Sequence, residues 1–405
     1  MVASGSMMRS SVTIAPMSEP VHDALDRARD LAPRIAAAAD EIERQRRLPD
    51  PLVGALHDAG LFRMLLPRAL GGAELDPATF VQVTEAIARA DASAAWVICQ
   101  TNGCSMTAAY LRPDVARKIF GGEPAGVLAW GPPTMSRAVV EDGGYRLSGT
   151  FNFASGSRHA SWLGGQAPVV EADGTPRRRH GAAERRTLLF PAASVTMQDV
   201  WHTIGLRGTG SDSFVVTDLF VPQEHSFARD DPAERRYRAP LYCFPQGSLY
   251  ASGFAGVAMG IARSLLEDFV ALATDKTPRG YSRPLRESAV TQSLVAQAEA
   301  RLGAARVYLL SSLRENWSAV GRTRALGLDQ RVTIRLAASH AIRQAREVAD
   351  FAYHAAGGTA VFTSNAFERR FRDIHTVSQQ LQGRDDHFEA VGKFLLGLEP
   401  DTTFL

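Results

Sequence analysis

The chain has 405 residues, 45% of them apolar and 22% charged, with a formal net charge of +2. That length and ordinary soluble composition suit two or three globular domains, and the near-neutral balance gives no electrostatic case for a nucleic-acid or membrane partner. The three cysteines, Cys99, Cys104 and Cys243, have no metal-ligand spacing, so no metal site and a reduced, cytoplasmic setting are expected.

No run approaches the roughly 18 consecutive apolar residues of a membrane span. Residues 1–20 are small and polar, hold four methionines and lack the apolar core of a signal peptide. They are expected to be a disordered tail, with Met1–Ser6 an added leader and Met7, Met8 or Met17 the natural start.

From Val21 to about Arg46 apolar residues fall at helical spacing, with Pro33 as a kink or a start. Leu52–Ala59 reads as a short helix ending at Gly60, Leu61–Leu66 as an apolar connector, and Gly71-Gly72 as a turn. Asp76-Pro77 opens a long Ala-rich helix to about Tyr110, and Pro113–Phe120 closes a helical first domain, residues 21–122.

The pattern then changes to short runs of β-formers bounded by Gly, Pro and Asp: Val127–Trp130, Ala138–Glu141, Tyr145–Asn152, Ser161–Gln166, Thr187–Phe190, Val195–Trp201 and Ser213–Val221. Asp142-Gly143-Gly144 signals a hairpin. These runs predict a small antiparallel barrel or sandwich over residues 123–238. The arginines of Ala172–Arg186 have no interleaved aromatic residue, so a solvated loop is favoured over a nucleic-acid patch.

Ser248–Thr274, Glu287–Val320, Gly327–Ala356 and Glu368–Leu398 carry Ala, Leu and Val at helical spacing and predict a four-helix bundle over residues 239–405. The fold class is therefore mainly α with a central β-domain.

A P-loop, a strand-linked G-x-G-x-x-G, a G-x-S-x-G elbow and an H-E-x-x-H helix are all missing. Four stretches remain as candidate chemistry. In Gly149–Trp162, Ser155 and Ser157 flank Gly156 and offer hydroxyls to a flat polar ligand; a polar β-turn is the alternative. In Gly205–Ser211, glycines surround Arg207, whose donor fork suits a phosphate; an ordinary turn is the alternative. Lys276–Arg286 carries Arg279, Arg283 and Arg286, either a phosphate grip or a solvated basic loop. Phe371–Gly383 carries Arg372-Asp373 and His375, either an ion pair with a helix-end histidine or a proton-handling group facing a pocket.

These stretches, in this order, resemble the acyl-CoA dehydrogenase superfamily from about Val21 to Leu398. Leu61–Gly72, L-F-R-M-L-L-P-R-A-L-G-G, is similar to its early signature, and Val216–Pro222, V-T-D-L-F-V-P, to the strand that ends its β-domain. Phe153–Ser157 and Arg372–His375 are most similar to the serine-bearing flavin segment and the histidine helix of its two-component flavin-dependent monooxygenases, the 4-hydroxyphenylacetate hydroxylase oxygenase type. Many true dehydrogenases carry a Glu-Gly-Thr base motif where this chain has Gln382-Gly383-Arg384, and glutamine cannot act as a base.

The resemblance implies an oxygenase component that uses reduced FAD or FMN, delivered by a separate flavin reductase, and O2. The implied route is a flavin C4a-hydroperoxide that hydroxylates an aromatic or heteroaromatic small molecule. A dehydrogenase of acyl-CoA thioesters and an N-hydroxylase of amines are the alternatives. It also implies a homotetramer. Ser155 would lie near flavin N5 and His375 near the reacting atoms. Trp130 would be a wall, Asn102 a pocket residue, and Arg207, Arg279 and Arg283 phosphate contacts. Gly357 and Gly358 would admit a neighbouring subunit's flavin.

Overall fold

A computed structural model describes residues 20–122, 125–229, 231–403 and 405. The expected disordered tail lies outside the described residues except for Pro20, which opens the first helix. Helices α1 (Pro20–Ala37) and α2 (Ala39–Gln45) replace the single run expected to Arg46. Pro33 sits inside α1, where its missing N–H removes one bond without ending the helix. Helix α3 (Asp50–Asp58) follows, and the connector from Leu61 to Leu66 buries Leu61, Met64, Leu65 and Leu66.

The expected Ala-rich helix is two helices, α4 (Pro77–Ala90) and α5 (Ala92–Ser105). Asp91 between them is extended, and its carboxylate accepts the Ala94 N–H at 2.8 Å. An aspartate cap starts a new helix more favourably than it continues an old one. Helix α6 (Pro113–Phe120) ends the helical segment.

The β-domain comprises β1 (Leu128–Trp130), β2 (Pro133–Glu141), β3 (Gly144–Ala154), β4 (Trp162–Val170), β5 (Arg178–Arg179), β6 (Ala182–Ala183), β7 (Arg185–Pro191), β8 (Thr196–Gln198), β9 (Asp212–Pro222) and β10 (Ser226–Phe227). The main sheet runs β10-β7-β4-β2-β3-β9-β8, with β1 along β4, and β5-β6 form a separate hairpin. Asp142-Gly143 joins β2 to β3 in the expected hairpin, Glu141 facing Gly144. The sheet is mixed where antiparallel pairing was expected, because β1 and β2 both run parallel to β4. Its core holds Phe151, Phe190 and Phe214, with Phe214 between the other two rings at 5.0 and 6.1 Å. Three arginines of the insertion are ion-paired: Arg177 with Glu171, Arg179 with Asp231 and Glu234, and Arg186 with Glu184 and Glu234.

The last segment holds α7 (Gln246–Asp275), α8 (Ala289–Thr323), α9 (Leu328–Ala356), α10 (Phe367–Gln379) and α11 (Asp386–Leu395). The fourth expected helix breaks at Gln380–Gly383, so a shorter α10 completes the bundle and α11 packs on α9. Helix α7 is long and apolar enough to cross a membrane, contrary to the sequence reading. Most of it is buried, so its apolarity is that of a core helix. One apolar core runs from α1 through α4, α5 and α7 to α10, joining the first and last helical segments.

Candidate active site

Strand β3 ends at Ala154, and the chain turns through Ser155 and Gly156 beside the loop Gly205–Ser211 that leads into β9. Two bonds zip the segments together: the Gly156 N–H donates to Thr209 O at 3.0 Å, and the Ser157 hydroxyl donates to Gly210 O at 3.3 Å. Three buried hydroxyls line up across this junction. Ser155 Oγ lies 2.6 Å from Ser211 Oγ, which lies 2.6 Å from Thr209 Oγ1, and Thr209 Oγ1 donates to Leu206 O at 2.8 Å. At the other end the Trp96 indole N–H, from α5, donates to Ser155 Oγ at 3.0 Å. Beside the buried Ser155, Phe153 is held at φ 54 and is 62% exposed, its ring edge-on to Trp201 at 6.2 Å. A large residue in left-handed backbone that also presents its ring to solvent is a strained arrangement of the kind kept at binding sites.

The glycine loop is pinned from three sides. A Cβ at Gly205 would sit 2.3 Å from Arg372 O, and one at Gly208 would sit 2.1 Å from Ile42 Cγ2, so only glycine allows the loop to lie directly on α10 and α2. Asp373 Oδ1 accepts the Leu206 N–H at 2.6 Å, holding Leu206 at φ 50. Arg372 donates to Ile204 O and pairs with Glu43 and Glu368, both at 2.7 Å. A cavity of about 20 Å³ between Asp373, Asp91, Arg369 and Arg370 has room for one water. Burial raises the Asp373 carboxyl to about 7 and the Asp91 carboxyl to about 6.

His375 lies two positions beyond Asp373 and so faces another side of α10. Its Nε2 is 2.9 Å from Asp350 Oδ1 of α9, its ring packs on Phe371 at 4.4 Å, and it is half-buried. Phe371 in turn stacks on Tyr353 at 4.0 Å. Two turns beyond Asp350, α9 ends in a groove of about 670 Å³ lined by Lys276, Arg279, Gly357, Gly358, Thr359 and Phe362 among others. Lys276 Nζ donates to Ala356 O and to Thr359 Oγ1 at 2.8 Å, which fixes an ammonium at the groove wall.

Two matches decide the family. The acyl-CoA dehydrogenase N-terminal domain model matches residues 19–118 and the C-terminal domain model matches residues 252–382. The chain belongs to the acyl-CoA dehydrogenase family. Among curated members, it is 28% identical to indole-3-acetate monooxygenase of Pseudomonas putida over 397 residues, 97% of each chain. It is 28% identical over 385 residues to the flavin-dependent monooxygenase oxygenase subunit HsaA of Mycobacterium tuberculosis, 93% of this chain and 96% of that one. The crystal structure of HsaA superposes with a TM-score of 0.86 over 95% of this chain and all of its own. XiaF from Streptomyces sp., solved with FADH2 and glycerol, is 26% identical with a TM-score of 0.88 over 95% of this chain and 98% of that one.

The family's flavin can be tested against these residues. A flat ring system needs an aromatic wall and a hydrogen-bonding edge, which Phe153, Trp201 and Ser155 supply. A phosphate needs cations and unencumbered backbone, and Lys276, Arg279, Thr359, Gly357 and Gly358 form that donor set in one groove. Each cluster fits its own part of the group, the ring system at Ser155 and a phosphate at Lys276. The family's dehydrogenase chemistry fits less well: Gln382 is buried, and its Oε1 accepts from Arg335 at 2.6 Å, a clamp around an amide. In α7 the first carboxylates are Glu267 and Asp268, near its C-terminal end, and Glu267 is bound to Arg89.

Not every residue singled out in the sequence joins these clusters. Asn102 is fully buried, and its amide is consumed by Leu61 O at 2.7 Å, Ile98 O at 2.8 Å and the Leu65 N–H at 3.2 Å, so it clamps the connector and keeps no polar group for a substrate. Arg207 is held by Thr203 O and Glu43. Arg283 is 77% exposed beside Glu287 and stands apart from the groove that Arg279 lines. Trp130 is buried against Leu128 and Trp162, so Phe153 presents the open ring instead. Phe153, Thr209, Ser211 and Lys276 lie in the stretches singled out from the sequence but had no individual role there, and Trp96 and Asp350 lie outside them. A lone tryptophan in an Ala-rich helix and paired hydroxyls in the G-T-G-S run were the available signals.

Proposed function

We propose that this chain is the oxygenase component of a two-component flavin-dependent monooxygenase, hydroxylating an electron-rich aromatic or heteroaromatic small molecule with reduced FAD or FMN and O2. The observation that carries this reading is the end-to-end likeness to oxygenases of this type, with an amide held by Arg335 where a dehydrogenase needs a base. Reduced flavin, when bound, supplies the electrons that activate O2 and delivers one oxygen atom.

The chain's own residues orient and protect that chemistry. Ser155 would meet the N5 edge of the ring system, Phe153 and Trp201 would flank it, and Lys276, Arg279 and the Gly357-Gly358 backbone would hold phosphate, of a neighbouring subunit's flavin where that approaches the groove. Donating its Nε2–H to Asp350 leaves the His375 Nδ1 lone pair to take or return a proton at a substrate hydroxyl or N–H. A separate reductase supplies the reduced flavin, as the oxygenase-subunit naming of HsaA suggests. Outward-facing Val290, Leu294, Val307 and Tyr308 on α8 support assembly into a homotetramer. Three free cysteines suit a reducing cytoplasm.

The test is turnover with a panel of phenols and indoles. Reduced flavin under air should give oxygenated product, and NAD(P)H with oxidised flavin but no reductase should give none. Rapid bleaching of bound oxidised flavin by an acyl-CoA thioester would assign the chain to the dehydrogenases instead.

A further inference from the structure

The hydroxyl chain Ser155–Ser211–Thr209 has two self-consistent hydrogen-bond directions, and its two ends are not equivalent. Trp96 Nε1 can only donate, so Ser155 Oγ always accepts from it. In the first direction Ser155 donates to Ser211, Ser211 to Thr209, and Thr209 to the Leu206 carbonyl. Ser155 then has no hydrogen left to offer and keeps one lone pair. In the second direction Thr209 donates to Ser211, Ser211 to Ser155, and Ser155 offers its hydrogen outward. Reversal gives up one bond, Thr209 Oγ1–H to Leu206 O. That carbonyl still accepts from Trp201 Nε1 at 2.9 Å and from the Thr209 N–H at 3.1 Å, so it tolerates the loss.

Flavin N5 makes opposite demands in its two oxidation states. Oxidised N5 is an acceptor and needs a hydrogen from Ser155. Reduced N5 carries a hydrogen and needs a lone pair. We propose that this hydroxyl chain reverses direction with the oxidation state of bound flavin and favours the reduced form, with Thr209 as the positioning residue that sets the bias. The first direction, which keeps the extra Thr209 bond, is the one that receives N5–H.

All three residues are at least 94% buried, so bulk water competes little for their hydroxyls. The Gly156 N–H bond to Thr209 O and the Ser157 hydroxyl bond to Gly210 O hold the two segments together in either direction. Preference for reduced flavin is what an oxygenase supplied by a separate reductase requires. The inference rests on the placement of Ser155 at the N5 edge given under Proposed function.

The experiment measures dissociation constants for oxidised flavin in air and reduced flavin under anaerobic conditions, with melting temperature as the folding control. Thr209→Val matches the shape of Thr209 but removes the terminal donor and acceptor. Ser211 must then turn toward Ser155, and the preference for reduced over oxidised flavin should shrink by about fivefold, the weight of one ordinary hydrogen bond. Thr209→Ser should restore the wild-type ratio. Ser211→Ala, which cuts the chain at its middle, should move the ratio the same way and serves if the valine variant does not fold. An unchanged ratio in Thr209→Val or Ser211→Ala, alongside weakened binding of both forms in Ser155→Ala, overturns the inference while leaving the site intact. Unchanged binding of both forms in Ser155→Ala overturns the site placement itself.

Discussion

Replacing Asp373 with asparagine should make the protein more stable at pH 8 and leave its stability nearly unchanged at pH 4. Asp373 is buried, and burial raises its carboxyl from 3.8 to about 7 against the smaller opposing effect of the Leu206 N–H. The charged groups around it are Asp91, Glu43, Arg369, Arg370 and Arg372. The folded chain therefore binds its proton more tightly than the unfolded chain does. Between about pH 4 and pH 7 the folded state carries more protons, so stability falls as pH rises through that window and levels off above it. Each tenfold gain in proton affinity is worth about 1.4 kcal/mol, so holding the ionised carboxyl in place costs on the order of 4 kcal/mol at pH 8. Asparagine can still accept the Leu206 N–H, and it has no charge to bury. Thermal melts at pH 4 and pH 8 provide the assay. The variant should match wild type at the lower pH and melt about 5 °C higher at pH 8. A variant that is destabilised equally at both pH values would show that Asp373 works as a stabilising anion, refuting the reasoning.

His375→Ala should fold normally, because its ring is only half-buried, and should lose product formation by about 10²-fold or more while hydrogen peroxide rises; coupling and melting temperature are read together. Asn102→Ala should behave in the opposite way, costing about 3 kcal/mol or more in denaturant melts by orphaning Leu61 O and the Leu65 N–H, with wild-type coupling in the protein that remains folded. Lys276→Ala and Arg279→Ala should each weaken flavin affinity several-fold with little change in the product-to-peroxide ratio, whereas Arg283→Ala should leave affinity unchanged; fluorescence titration distinguishes them.

Much of the fold was legible because its signals are local. The Asp142-Gly143 hairpin, the Gly60 stop and the helical periodicities of α7 to α9 are written into adjacent residues. The break at Asp91 was missed because an aspartate in an Ala-rich run reads as one more helical residue until its side chain is seen capping α5. Parallel pairing of β2 with β4 depends on partners about 30 residues apart in sequence, which no short pattern records. In the site, Ser155 and His375 stood out by chemistry and motif. Trp96 and Ser211 matter only because the fold places each beside Ser155. Asn102 failed as a pocket residue because a buried amide on a pocket-lining helix and one that clamps a connector have the same letter, and only its partners tell them apart.

The most direct test of the monooxygenase reading supplies anaerobically reduced flavin to the purified protein with an aromatic substrate panel, then admits isotopically labelled dioxygen. The account predicts a hydroxylated product carrying one labelled oxygen atom, formed in proportion to reduced flavin and absent without it. Label appearing only in hydrogen peroxide across a broad panel, together with bleaching of bound oxidised flavin by an acyl-CoA thioester, would contradict it.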